Sequence, residues 1–322
     1  MSEKKLREIK IPPGSRQVLV KTLVKYSAEE TPGGILKTGD TDYSPATHAD
    51  RLGEVIAVPK GMLPFSIKGD IMPWETVVEI SPGMIVWYDY LANLNADGFI
   101  DEEGYEYKVI DYDNLYVATV PRDEEGDPEG LQVGETGMEY IIPLNGFHLF
   151  ERVLHEKKHR FDITENKVDP RYGIVKYVAR NNTAYENGTS VDHFDLQVGD
   201  KVMFGNVPEV MLEDDLHCHF DGGRMYRRSQ SRNIELVWRG DKLILPKGSI
   251  LIKRKPDEEI SKGGIILLKA NVKNHTGEVI LSSNDQVPIG SEILYIKGTG
   301  WEIDYQGEKH RVLTNNQILY VN

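Results

Sequence analysis

The chain has 322 residues, 39% of them hydrophobic, with 30 Gly and 16 Pro, a composition that suits a loop-rich globular protein and excludes a disordered one. Lys plus Arg number 38 against 51 Asp plus Glu, so the formal charge of −13 argues against nucleic acid or an anionic membrane as the main partner. A single cysteine, Cys218, leaves no intrachain disulfide, and neither a secretory leader nor a run of about 18 apolar residues is visible, so a cytoplasmic protein with no membrane segment is expected.

Amphipathic helical periodicity is scarce. Short runs rich in Val, Ile and Tyr, cut by Gly, Asn and Pro turns, predict an all-β chain built of small barrels or sandwiches. From the N-terminus, "PPGSRQVLVK" (12–21) places a Pro-Gly turn before an apolar strand, and "TPGGILKTGD" (31–40) follows as a loop. Next come the strand "GEVIAV" from Gly53, the long excursion 57–83, the Gly turn and strand "ISPGMIVWY" (80–88), and the closing strand "DNLYV" (113–117). The acidic, Gly-rich stretch "RDEEGDPEGLQVGETG" (122–137) reads as a solvated linker.

The same marks then recur. "PLNGFHLFER" (143–152), "GIVKYV" from Gly173, "LQVGDKVMF" (196–204) and "RNIEL" (232–236) repeat the order, and "VWRGDKLIL" passes from strand to strand with almost no slack. "PKGSILIKRK" (246–255), "GEVILS" from Gly277, "VPIGSEILY" (287–295) and "NQILY" (316–320) repeat it again. Four marks in one order, three times, predict three tandem units at 8–121, 138–240 and 241–322.

At "EISKGGIILLKANVKNHTGEVI" (259–280) the sequence resembles the GroES-like co-chaperonin family. The family pattern is a leading strand, a mobile loop carrying Gly-Gly and an aliphatic tripeptide, then a strand opening Gly-Glu-Val. The third unit has Gly263, Gly264, Ile265, Ile266 and Leu267 before Gly277-Glu278-Val279; the first has Gly33, Gly34, Ile35 and Leu36 before Gly53-Glu54-Val55. The resemblance implies three tandem GroES-like small β-barrels with long loops and a non-catalytic protein without cofactor or metal. Such a protein would oligomerise, bind the apical domains of a GroEL-like chaperonin through those nine residues, and assist protein folding as a cap. It also places a roof hairpin at 57–83, which contains Trp74 and the apolar run 62–65, and another at 179–200. The third unit, with only "SSNDQ" there, is too short for one. The second unit lacks Gly-Gly-aliphatic, leaving Phe161 and Ile163 as its candidate anchor.

Two stretches tempt a metal reading. "HEKKH" (155–159) matches a zinc-peptidase pattern, but its two His must share one helical face. The preceding "GFHLFERVL" alternates like a strand, so the match reads as coincidence in a polar loop. In "HCHF" (217–220), a strand turns His217 and His219 to one side and Cys218 to the other, and the segment runs into the turn "DGG". The alternative to a capping role is a structural or adaptor protein, for instance of phage origin, that reuses the barrel.

Overall fold

The computed structural model describes residues 16–25, 51–61, 78–89, 92, 96–122, 131–154, 168–180, 183–186, 189–192, 195–205, 216–217, 220–254, 260–262, 265–267 and 274–322. It is an all-β molecule that divides into two compact units, Met1–Ile234 and Glu235–Asn322.

The first sheet of unit 1 contains β1 (Gln17–Lys25), β2 (Leu52–Ala57), β3 (Ile85–Tyr88), β4 (Gly98–Ile100), β5 (Tyr105–Asp111), β6 (Leu115–Pro121), β7 (Gln132–Val133) and β8 (Glu139–Pro143). Its order is β4-β5-β1-β2-β3-β6-β8-β7. The second sheet contains β9 (Phe147–Leu154), β10 (Val168–Tyr177), β13 (Lys201–Phe204), β14 (Leu216–His217) and β15 (Met225–Gln230), while β11 (Thr183–Glu186) and β12 (Thr189–Asp192) form a sheet of their own. That second sheet is ordered β14-β15-β9-β10-β13, followed by the strand that begins at Ile234, the last residue of unit 1.

In unit 2, the body of β16 (Ile234–Arg239) folds back on β17 (Lys242–Ile244), pairing Val237 with Ile244 and Arg239 with Lys242. Next come β18 (Ser249–Arg254), β19 (Ile260–Lys262), β20 (Ile265–Leu267), β21 (Asn274–Ser282), β22 (Glu292–Ile296), β23 (Trp301–Tyr305), β24 (Glu308–Thr314) and β25 (Ile318–Val321). The sheet order β23-β24-β18-β21-β22-β25 is that of β4-β5-β1-β2-β3-β6. Hydrogen bonds do not join its two edges, but Ile318 and Val321 of the last strand pack on the core of Ile250, Ile252, Val279, Ile293, Tyr295 and Leu313. Each sheet rolls on its own apolar centre, as a small barrel.

Three local devices recur at equivalent places. First, the leading strand slips by one residue against its partner: Leu19 pairs Ala57 and Val20 pairs Val55. Leu149 pairs Tyr177 while Phe150 pairs Val175, and Leu251 pairs Leu281 while Ile252 pairs Val279. Each extra residue (Ile56, Lys176, Ile280) is a β-bulge that tightens the twist and helps a short sheet curl. Second, three glycine turns share one hydrogen-bonding pattern. The N–H groups of Gly83, Gly199 and Gly290 donate at 2.8 Å to the carbonyls of Val55, Val175 and Val279 respectively. All three glycines have φ near +90° (92°, 91° and 84°), where a side chain would be strained. Third, a single 3-10 turn (112–114, 231–233, 315–317) precedes each closing strand.

The stretch expected to be a solvated linker is partly built into unit 1. Gln132 bridges the backbone of Val178, accepting from its N–H at 2.8 Å and donating to its carbonyl at 2.7 Å. Glu135 pairs with Arg224 at 2.5 Å and with Lys176. Glu135 thus serves as partner for Lys176 of β10 and for Arg224 just ahead of β15, which a reading by composition alone misses.

Within unit 1 the two barrels share an apolar seam. Trp87, Tyr116 and Val117 of β3 and β6 meet Ile141, Leu149, Tyr177, Phe220 and Tyr226. The rings of Trp87 and Phe220 are 4.6 Å apart, edge to face, and the Arg228 guanidinium lies 3.3 Å over Tyr116. At the seam the buried Asp221 accepts hydrogen bonds from the hydroxyls of Tyr177 (2.6 Å) and Tyr226. Glu139 accepts from the Asp221 backbone N–H at 2.7 Å.

Candidate functional site

The segment of unit 2 between β18 and β21 has the local chemistry of a finger on a fixed base. The pairing of β18 with β21 holds through Lys253–Glu278 and Arg254–Gly277. A Cβ on Gly277 would lie 2.7 Å from Ile252 Cδ1 and 3.2 Å from the Lys253 carbonyl, so this strand pair closes most tightly on glycine. Around it, Lys253 reaches Glu308 at 2.5 Å, and that hydrogen bond holds the Glu308 carboxyl below the usual glutamate range. Arg254 Nη2 lies 3.3 Å from His275 Nδ1, and the His275 ring packs 5.8 Å from that of Tyr295.

From this base the chain makes a separate two-stranded sheet. Ile260 pairs Leu267, Ser261 pairs Ile266 and Lys262 pairs Ile265. The sheet has only those strands, β19 and β20, and joins no other among the described residues. A Gly pair between two β-forming triplets is the expected chemistry of a tight hairpin. Gly263 and Gly264 themselves, and the side chains of Ile265, Ile266 and Leu267, lie outside what is described. The structure thus places the backbone of the aliphatic triplet on a hairpin off the barrel.

The counterpart in the first barrel leaves β1 after Lys25 and returns at β2, with Thr22 and Gly53 as the last pair. Gly33, Gly34, Ile35 and Leu36 lie outside the described residues. At its root Lys21 Nζ sits 4.1 Å above the Tyr105 ring. The corresponding loop of the second barrel opens from the Leu154–Val168 pair, and Phe161, Ile163 and the residues of "HEKKH" lie outside the described set. The chain enters that loop as a strand, Phe147–Leu154, the conformation expected from its alternation.

Within 179–200, where the resemblance puts a roof hairpin, β11 and β12 pair from Thr183–Asp192 to Glu186–Thr189. Its counterpart in the first barrel, with Trp74 and 62–65, lies outside the described residues. In the third barrel the equivalent place is a compact turn, in which the Asn284 carboxamide accepts from Gln286 N–H at 3.0 Å and its carbonyl accepts from Val287 N–H at 3.1 Å. Among the described residues no group of His, Cys, Asp and Glu could hold a metal, and no helix is long and apolar enough to cross a membrane. "HCHF" runs into the turn at Asp221–Gly223, with His217 pairing Met225, while Cys218 and His219 lie outside the described set.

The shifted ionisable groups are structural. Burial, reinforced by Asp221, pushes Tyr177 and Tyr226 well above the usual phenol range, and burial beside Glu79 does the same to Tyr112. His148 sits in the core between the Ser231 hydroxyl (2.9 Å) and the Ala179 N–H, which donates to its Nδ1 at 3.1 Å, so its ring nitrogens are committed to packing. What the site offers is a two-stranded hairpin, Ile260–Lys262 with Ile265–Leu267, that belongs to neither edge of the main sheet.

Comparison with known proteins bears on that hairpin's unit. The model of the family described as "Chaperonin 10 Kd subunit" matches residues 240–322. A co-chaperonin GroES of Lactobacillus acidophilus is 34% identical over 84 residues, covering 22% of this chain and 89% of the relative. One of Ligilactobacillus salivarius is 32% identical over 92 residues, covering 24% and 98% respectively. Another, of Clostridium perfringens, is 31% identical over 90 residues, covering 24% and 96%.

Proposed function

The chain belongs to the GroES-like co-chaperonin family, and from that premise we propose that it caps a GroEL-like chaperonin ring and assists folding without catalysing any reaction. The observation that carries this reading is the isolated hairpin of Ile260–Lys262 and Ile265–Leu267, at the place where the resemblance puts the mobile loop. The chaperonin-binding residues are Gly263, Gly264, Ile265, Ile266 and Leu267 in the third barrel, with Gly33, Gly34, Ile35 and Leu36 in the first. The units proposed are 8–121, 138–240 and 241–322.

The energetics explain why two such loops are useful. Burying Ile265, Ile266 and Leu267 in an apolar groove contributes roughly 5–8 kcal/mol, at about 1.5–3 per side chain. Ordering six or so loop residues costs about 1–2 kcal/mol each, which nearly cancels that gain. One loop therefore binds weakly, and several on one assembly bind tightly but reversibly by raising effective concentration. A weak contact per site lets a change in the chaperonin release the cap.

The test is capture of the chain by an immobilised GroEL-like chaperonin in the presence of ATP. Ile35→Asp combined with Ile265→Asp is expected to abolish capture while leaving the circular dichroism spectrum unchanged. Full retention of capture by the folded double variant would overturn the assignment of these loops.

A further inference from the structure

Between β8 and β9 the chain turns at Leu144–Phe147, where the Phe147 N–H donates to the Leu144 carbonyl at 2.9 Å. The middle residues are Asn145 and Gly146, with φ of 54° and 70°. Asparagine visits that left-handed region more readily than most side chains, and Asn-Gly is the favoured pair for such a turn. At the same place in the third barrel, Ser249 N–H donates to the Pro246 carbonyl at 3.0 Å, and the turn carries the exposed Lys247 instead. A turn into a leading strand therefore does not by itself demand asparagine.

What demands it is the packing of unit 1. Asn145 is 1% exposed, and its Nδ2 donates to the carbonyls of Tyr112 at 2.8 Å and Leu115 at 2.9 Å, at the two ends of the first barrel's 3-10 turn. Its backbone N–H donates to the Glu79 carboxylate at 3.1 Å, and its carbonyl accepts from Gln230 Nε2 of β15 at 3.0 Å. One residue thus pins the closing turn of the first barrel to the sheet of the second. Asn-Gly is also a pair prone to react with itself, because glycine has no side chain to hinder the approach. The Gly146 nitrogen attacks the Asn145 side-chain carbonyl carbon, forming a succinimide ring and releasing the amide nitrogen as ammonia. Water then opens the ring to aspartate or to isoaspartate, which carries an extra methylene in the main chain.

We infer that Asn145 is a self-modification site that the fold holds shut, and that its conversion, once unfolding exposes it, prevents the two barrels of unit 1 from re-forming their junction. In the native turn both Nδ2 hydrogens are engaged, so the carboxamide cannot swing its carbon toward the Gly146 nitrogen. After conversion, a carboxylate oxygen stands where a double donor stood, facing the carbonyls of Tyr112 and Leu115. The site has no donor to spare for it: Asn145 Oδ1 is itself buried and meets none among the described residues. A buried charge facing acceptors is among the costliest changes a core can suffer. Isoaspartate adds a longer main chain to a turn that has no slack. The native junction therefore protects the chain from its own chemistry, and each long excursion into the unfolded state removes chains irreversibly. This inference concerns the lifetime of unit 1 and does not rest on the capping reading.

The test follows conversion at residue 145 by peptide mass mapping of the full chain, held in mildly alkaline buffer either folded or in guanidinium chloride. Conversion is expected to be at least about a hundred-fold slower in the folded chain, because it proceeds only through opening of a packed junction. A second arm uses Asn187→Gln, which removes the chain's other Asn-Gly pair, Asn187–Gly188. Chains aged in denaturant and then refolded are separated by gel filtration into folded and unfolded fractions. The folded fraction should hold residue 145 intact, with aspartate and isoaspartate concentrated in the unfolded fraction. Should unaged Asn187→Gln fail to refold, the wild-type chain mapped at both residues gives the same comparison. Equal rates in buffer and in denaturant would overturn the inference, as would converted residue 145 in equal proportion in the two fractions.

Discussion

Gly53, Gly173 and Gly277 lie where the leading strand passes close, most tightly at Gly53. A Cβ on Gly53 would lie 2.3 Å from Val20 Cγ1 and 2.7 Å from the Lys21 carbonyl, a backbone atom that cannot turn aside. On Gly277 the nearest atom is instead the flexible tip of Ile252, at 2.7 Å. Gly53→Ala is therefore expected to destabilise unit 1 by about 3 kcal/mol, and Gly277→Ala to destabilise unit 2 by about 1–2 kcal/mol, in the range of overpacked cores. Urea denaturation of each variant checks the order. These glycines were legible as repeated marks, although the contact that requires them was not.

The pair Tyr177 and Tyr226 was not legible at all, because it depends on Asp221 meeting β10 and β15 in space. Both phenols are pushed above their ordinary value near 10, chiefly by burial. For an acid raised in the folded state, the stabilisation is full below the unfolded value and is lost as pH climbs above it. Stability should therefore fall as pH rises above 10, and less steeply in Tyr226→Phe, which cannot ionise there. Urea midpoints at pH 9 and pH 11 for both proteins measure this; equal slopes would contradict it.

At the scale of elements, alternation and turn chemistry carried most of the information. The leading strands, the Gly-Glu-Val strands and the turns at Gly83, Gly199 and Gly290 stand where their residues predict, because a positive φ leaves few alternatives to glycine. The two strands within 179–200 stand where the resemblance puts a hairpin, and the short turn of the third barrel follows from its few residues. The outer hairpins β4–β5 and β23–β24 escaped notice in the sequence. Their turns, at Gly104 and Gly307, lie between runs mixed with charge, such as "EKHRVLT", whose Glu308 and Lys309 are exposed although the strand is paired on both sides. The seam of unit 1 depends on an element contact of this kind: Arg228 lies over Tyr116 and within 3.6 Å of Asp89. Arg228→Ala should cost unit 1 about 1–2 kcal/mol through the lost cation–π contact and the lost ion pair with Asp89. A thermal shift indistinguishable from wild type would show that Tyr116 packs equally well alone.

For the whole molecule, the sheet orders β4-β5-β1-β2-β3-β6 and β23-β24-β18-β21-β22-β25 express one topology, and the family match covers only 240–322. The earlier sheets have the same bulge, close-packed glycine and turn while differing in most of what surrounds them. Those features fix the backbone path, whereas surface and loop residues are free to diverge. On the capping proposal, this chain engages a chaperonin ring as a lid. Analytical ultracentrifugation of the fluorescently labelled chain with a GroEL-like double ring is the decisive measurement. The label is expected to move to the chaperonin boundary when ATP is present and to return to its own boundary when nucleotide is removed. A label that stays at its own boundary under both conditions would contradict it.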